Sequence, residues 1–126
     1  MPTGARLIVL VAALLGALGV VFGAFGAHSL RQRLSPELLA LWQTAVQYHL
    51  WHAVAMLAVG LLSYQLPQQP WLRAAAALLF AGIVLFSGSL YALALGAPRP
   101  LGAVTPFGGV ALIAGWVCLA MAAFRA

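Results

Sequence analysis

The chain has 126 residues, of which 65% are hydrophobic and 6% charged. A water-soluble domain carries about a quarter of its residues as charges, so this composition excludes one and indicates a single integral membrane unit spanning residues 1–126. The net charge of +5 comes from six arginines against Glu37 alone. These arginines (Arg6, Arg31, Arg33, Arg73, Arg99 and Arg125) stand apart at the ends of apolar runs, where lipid headgroups favour them, and not in the cluster that nucleic acid binding needs.

The first apolar run, residues 7–27, is free of charge and long enough to span a core of ~30 Å. A signal h-region is shorter, so this run is read as helix 1. Gly16, Gly19, Gly23 and Gly26 fall on one strip of it, with Gly19 and Gly23 as a GxxxG pair. Such strips let backbones approach closely, in the bundle or between protomers.

Helix 2 is expected over residues 36–64. Ser35 suits an N-cap, Pro36 the first helical position, and Glu37 the positive end of the helix dipole. Gln43, Gln47, Trp51, Thr44, Tyr48 and His52 share one half of this helix. Leu39, Trp42, Val46, Leu50 and Ala53 share the other, together with His49. Because lipid offers no hydrogen bonds, the polar half is expected to face other helices or water.

Tyr64 to Trp71 reads as a loop with two prolines. Helix 3 is expected over residues 74–95, carrying the notch Ser87-Gly88-Ser89 and then Tyr91. Thr105 and Pro106 are expected to cap helix 4, residues 107–124, on which Gly108 and Gly115 belong to a second strip of small residues. Four spans with short connections form an all-α antiparallel four-helix bundle. The arginines divide equally between the two membrane faces and leave its orientation open.

Counting 1.5 Å per residue from one face puts His52, Gly19 and Ser87 at about the same depth, and Gln47, Tyr91 and Gly23 in a second layer. The matching heights predict an interhelical polar network of Gln43, Gln47, Tyr48, His52, Ser87, Ser89 and Tyr91, with His52 beside Ser87 or Ser89 and Gln47 beside Tyr91. His49 and His52, three residues apart, are the weak candidates for metal or haem, but the sequence offers no third ligand, so no metal or cofactor is expected. With no aspartate and one glutamate, there is neither a Ser-His-Asp set nor a carboxylate pair, and no enzymatic activity is expected.

Four ordered motifs, GAFGAH (Gly23 to His28), WQTAVQYHLWHA (Trp42 to Ala53), FSGSLYALAL (Phe86 to Leu95) and TPFGG…GW (Thr105 to Trp116), resemble those of the YgdD-type membrane proteins. That family is known as domain of unknown function 423 and includes eukaryotic transmembrane protein 256. The resemblance implies a four-helix protein of the bacterial inner membrane, and supplies no activity, cofactor or catalytic residue. The residues favour an accessory or structural protein that associates within the membrane, as a homo-oligomer or as a subunit of a larger complex. The alternative is an oligomeric pore or carrier lined by Gln43, Gln47, Tyr48 and His52. Metal or haem binding through His49 and His52 comes third.

Overall fold

The computed structural model describes residues 2–126. It contains four long helices: α1 (Thr3–His28), α2 (Pro36–Gln65), α3 (Pro70–Ala94) and α4 (Thr105–Arg125). All four are long and apolar enough to cross a membrane. Short 3₁₀ turns at Leu30–Gln32 and Arg99–Ala103 lead into α2 and α4.

The start of α2 follows the sequence reading. Ser35 is extended, and its Oγ accepts from the Leu38 backbone N–H at 3.3 Å, with Pro36 and Glu37 in the first turn. The start of α3 does not. Its second proline, Pro70, opens the helix instead of ending a loop, and the Gln69 side chain accepts from the Trp71 N–H at 3.4 Å. Residues 70–73 are therefore helical. At the far end of α3 the chain reverses at Gly96, whose φ of +105° suits glycine. Ala97 N–H donates to Ala92 O and Gly96 N–H to Leu93 O, the pair of bonds of a Schellman cap. The cap expected from Thr105 is absent: Thr105 is itself the first helical residue, Val104 holds the N-cap position without a side-chain cap, and the Thr105 hydroxyl meets Ser89.

Helices α2 and α3 form the centre, with α1 packed on α2 and α4 on α3. Leu72, Leu79 and Val59 are fully buried in the core shared by the helices, while Leu7, Leu14, Leu61, Val110 and Ile113 point outward, as lipid-facing residues should. Both flanking pairs hold a constant antiparallel register. Between α3 and α4 the facing residue numbers total 194 in each of four contacts: 82 with 112, 86 with 108, 79 with 115, and 89 with 105. Between α1 and α2 they total 69 where residue 19 meets 50, 23 meets 46 and 60 meets 9.

Glycine makes these crossings close. A Cβ on Gly19 would lie 2.6 Å from Leu50, and one on Gly26 would lie 2.6 Å from the Trp42 ring. Gly108 faces backbone atoms of Leu85 and Phe86, and Gly115 faces Leu79. Most of the small-residue strip on each outer helix is thus occupied inside the chain. Gly16 is the exception, because nothing lies within 4 Å of its added Cβ, so it packs against no other helix. The Gly108 crossing coincides with a π-helical turn in α3, Ile83–Ser87, in which Gly88 N–H reaches back to Ile83 O.

The antiparallel order predicts that reporter fusions after Arg33, Gln69, Arg99 and Ala126 alternate between the two sides of the membrane. Fusions after Arg33 and Gln69 that report the same side would mean that α2 does not cross.

Candidate functional site: two histidine-centred networks and an open groove

The buried stripe of α2 runs Trp42, Ala45, His49, His52, Met56 and Val59, at spacings of three and four residues. His49 is 2% exposed and joins three helices. Its Nε2 lies 2.8 Å from the Leu15 carbonyl of α1, and its Nδ1 lies 2.8 Å from the Tyr91 hydroxyl of α3. A carbonyl only accepts, so Nε2 carries the proton and donates to Leu15. Nδ1 is then the acceptor, and Tyr91 O–H donates to it. Gly19, one turn beyond Leu15, leaves the space through which the imidazole reaches the α1 backbone. Around this pair, Phe22, Trp42 and Tyr91 pack ring to ring, and Trp42 Nε1–H donates to the Phe22 carbonyl at 2.8 Å.

His52, 6% exposed, looks the other way. Its Nδ1 donates to the Tyr48 carbonyl at 2.7 Å, and Trp116 Nε1–H of α4 donates to its Nε2 at 3.0 Å. Since the indole only donates, Nε2 must be unprotonated, and His52 holds the opposite tautomer to His49. The Tyr48 ring stacks on His52, with planes 7° apart, and also packs against Phe86.

These contacts correct the expected pairings. His52 meets Trp116 and not Ser87 or Ser89. Ser87 Oγ donates to the Ala45 carbonyl at 2.8 Å, which ties α3 to α2, and Ser89 Oγ bonds Thr105 Oγ1 at 2.5 Å and Phe86 O at 3.0 Å. Tyr91 is held by His49 and not by Gln47. Gln43 and Gln47 are exposed, so the polar half of α2 does not as a whole turn inward. The four residues expected to line a pore do not converge. Tyr48 and His52 are packed within the bundle, while the two glutamines face outward. Both ring nitrogens of His49 and of His52 are engaged by protein groups and the rings diverge, which leaves neither free to ligate a metal in this arrangement.

The sequence reading missed Trp42, Thr105, Trp116 and the central place of His49. The signal available was the spacing of Trp42, Ala45, His49 and His52, which matches one buried helical stripe more closely than the polar half does.

The two glutamines instead line an open groove of about 510 Å³ between the C-terminal half of α1 and the N-terminal half of α2. Gly23 and Gly26 line its α1 side, and Trp42, Gln43, Gln47 and Trp51 line it from α2. Among the described residues neither carboxamide has a hydrogen-bond partner. Helix α2 is ~45 Å long, about 15 Å more than the hydrocarbon core, so a centred α2 places Gln47 roughly 9 Å inside it.

The family described as "Protein of unknown function (DUF423)" matches residues 22–109, the stretch that holds both histidines and the groove, though not Leu15 or Trp116. The chain is 42% identical over 120 residues to UPF0382 membrane protein YwdK of Bacillus subtilis, covering 95% of this chain and 98% of that one. It is 41% identical over 121 residues to a UPF0382 membrane protein of Staphylococcus haemolyticus (95% and 97% covered), and 42% over 121 residues to one of Staphylococcus epidermidis (95% and 97%). No solved structure matches it. With four membrane-length helices and relatives of this kind along nearly its whole length, the chain belongs to the DUF423 family, membrane proteins of unknown function, and is a multi-pass protein of the bacterial inner membrane.

Proposed function

We propose that the protein acts without catalysis, as an accessory membrane protein that binds another transmembrane helix in the α1/α2 groove through Gln43 and Gln47. The observation that carries this reading is the pair of exposed carboxamides one helical turn apart, Gln47 at hydrocarbon depth, with no partner among the described residues. An amide moved from water into hydrocarbon without a hydrogen bond costs about 4–8 kcal/mol. A neighbouring helix with polar side chains offsets part of that cost. Gly23 and Gly26 lower the α1 wall, and the exposed Trp51 ring adds a flat apolar contact. The small-residue face of α4 is a poor alternative, because Gly108 and Gly115 are used against α3.

A photo-cross-linking residue at position 47, in native membranes, is expected to capture a polypeptide. A doubled mass identifies a second copy, and any other mass identifies a subunit of a larger assembly. At ~0.6 kcal/mol per interhelical hydrogen bond, the Gln43→Leu/Gln47→Leu pair should weaken association about eight-fold. Capture of lipid alone, with the double variant unchanged in size in mild detergent, would overturn the proposal.

A further inference from the structure

A second cleft lies on the other side of α1, between α1 and α3 and near the opposite membrane face. It measures about 350 Å³, and Leu7, Val11, Met56, Ala76, Ala77 and Phe80 make its wall apolar. Arg73 lines it as well. Arg73 also lines an adjoining cavity of about 130 Å³ that contains Ser63 and Gln69, with Gly4 and Ile8 common to both. One cationic side chain therefore stands between an apolar cleft and a smaller pocket that holds Gln69. Arg73 lies in the first turn of α3, at the depth of the headgroup layer, and Trp71 and Tyr64 mark the same interface.

No acidic side chain stands beside it among the described residues. The only acidic side chain, Glu37, starts α2 at the other membrane face, some 40 Å away along that helix. The cleft opens because its rim is small. A Cβ on Gly4 would meet nothing within 4 Å, and Ala76 and Ala77 follow directly on the α3 wall. From Arg73 to Phe80 it runs roughly 10 Å toward the membrane centre.

We propose that this cleft is a binding site for one anionic phospholipid, with its phosphate on Arg73 and an acyl chain against Leu7, Val11, Met56 and Phe80. Guanidinium pairs with a phosphodiester through two parallel N–H···O bonds. The Gln69 side-chain NH2 adds a donor beside the phosphate, while the Ser63 hydroxyl is committed to the Val59 carbonyl at 2.8 Å. A free phosphate ion would meet Arg73 and leave the apolar cleft unfilled, whereas a phospholipid uses the charge and fills the cleft. This site is independent of the α1/α2 groove and shares no residue with it.

Purified protein stripped of lipid and titrated with phosphatidylglycerol or phosphatidylcholine, read by native mass spectrometry, tests this. Wild-type protein should retain one phosphatidylglycerol in preference to phosphatidylcholine. Losing one interfacial arginine, at about 1 kcal/mol, should lower retention in Arg73→Gln about five-fold. Arg73→Lys should restore part of it, and Gly4→Leu or Ala77→Leu, which narrow the cleft and keep the charge, should lower it too. Arg6→Gln, which removes an equal charge that lines neither cavity, should change nothing. Equal losses in Arg6→Gln and Arg73→Gln, no preference between the two lipids, or displacement by millimolar inorganic phosphate would each overturn the site.

Discussion

Gly108→Ala is expected to destabilise the bundle by about 2–3 kcal/mol, the upper part of the range for overpacking a filled interior. The reason is what the new Cβ would meet. At Gly108 it would fall on the backbone nitrogen of Phe86 and lie 2.7 Å from Leu85 C and Phe86 Cα. No rotamer change relieves a clash with backbone, so α4 must move away from the π-helical turn of α3. That movement also stretches the Ser89–Thr105 bond, the outermost contact in the same register. At Gly115 the nearest atoms belong to the Leu79 side chain, 2.8 Å and 2.9 Å away, which can shift, so Gly115→Ala should cost about 1 kcal/mol. Gly16→Ala and Gly88→Ala meet nothing within 4 Å and should be neutral or gain up to ~1 kcal/mol of helix propensity. Unfolding of the purified variants in detergent by added sodium dodecyl sulfate, followed by tryptophan fluorescence, measures the series. Equal midpoints for Gly108→Ala and Gly16→Ala would show that α3 and α4 do not cross at Phe86. The sequence alone left open whether the strip holding Gly108 and Gly115 packs in the bundle or between protomers. The crossing lies inside the chain, and the bundle itself is expected to open.

The four spans were legible because apolar length is a strong signal, and the Ser35-Pro36-Glu37 start of α2 because each residue has one obvious role there. The start of α3 was obscured by Pro67 and Pro70, which look alike in a loop although only Pro70 occupies the first helical position. The π-helical turn has no signature in Ile83–Ser87. The site was half legible, for a geometrical reason. Depth counting paired Gly19 with His52 and Gly23 with Gln47, whereas Gly19 meets Leu50 and Gly23 meets Val46. The errors, two residues and one, amount to only about 3 Å or less of rise. On a helix surface they amount to roughly 200° and 100° of rotation, enough to choose a different face. Polarity then misled the choice of face. In water a helix turns its glutamines outward. In lipid they were expected to turn inward, yet histidine and tryptophan, which offer hydrogen bonds along with ring packing, fill the interior here.

A double-mutant cycle on His49 and Tyr91 distinguishes these two arrangements. His49→Leu removes both the donor to the Leu15 carbonyl and the acceptor for the Tyr91 hydroxyl. Interhelical hydrogen bonds in membranes average about 0.6 kcal/mol and reach about 1.7, so losing two should cost roughly 1–3 kcal/mol. Tyr91→Phe removes one bond and keeps the ring against Phe22 and Trp42, and should cost about 1 kcal/mol. Because the two side chains share a bond, the double variant should lose less than the two single losses together, by about 0.6–1.7 kcal/mol. Gln47→Leu should show no such coupling to Tyr91→Phe, since Gln47 lies in the outer groove. The reverse result, coupling with Gln47 and none with His49, would restore the pairing suggested by depth alone. Coupling with His49 fixes the rotation of α2 about its axis. That same rotation turns Gln43 and Gln47 outward, so the cycle also tests the geometry on which partner binding in the groove depends.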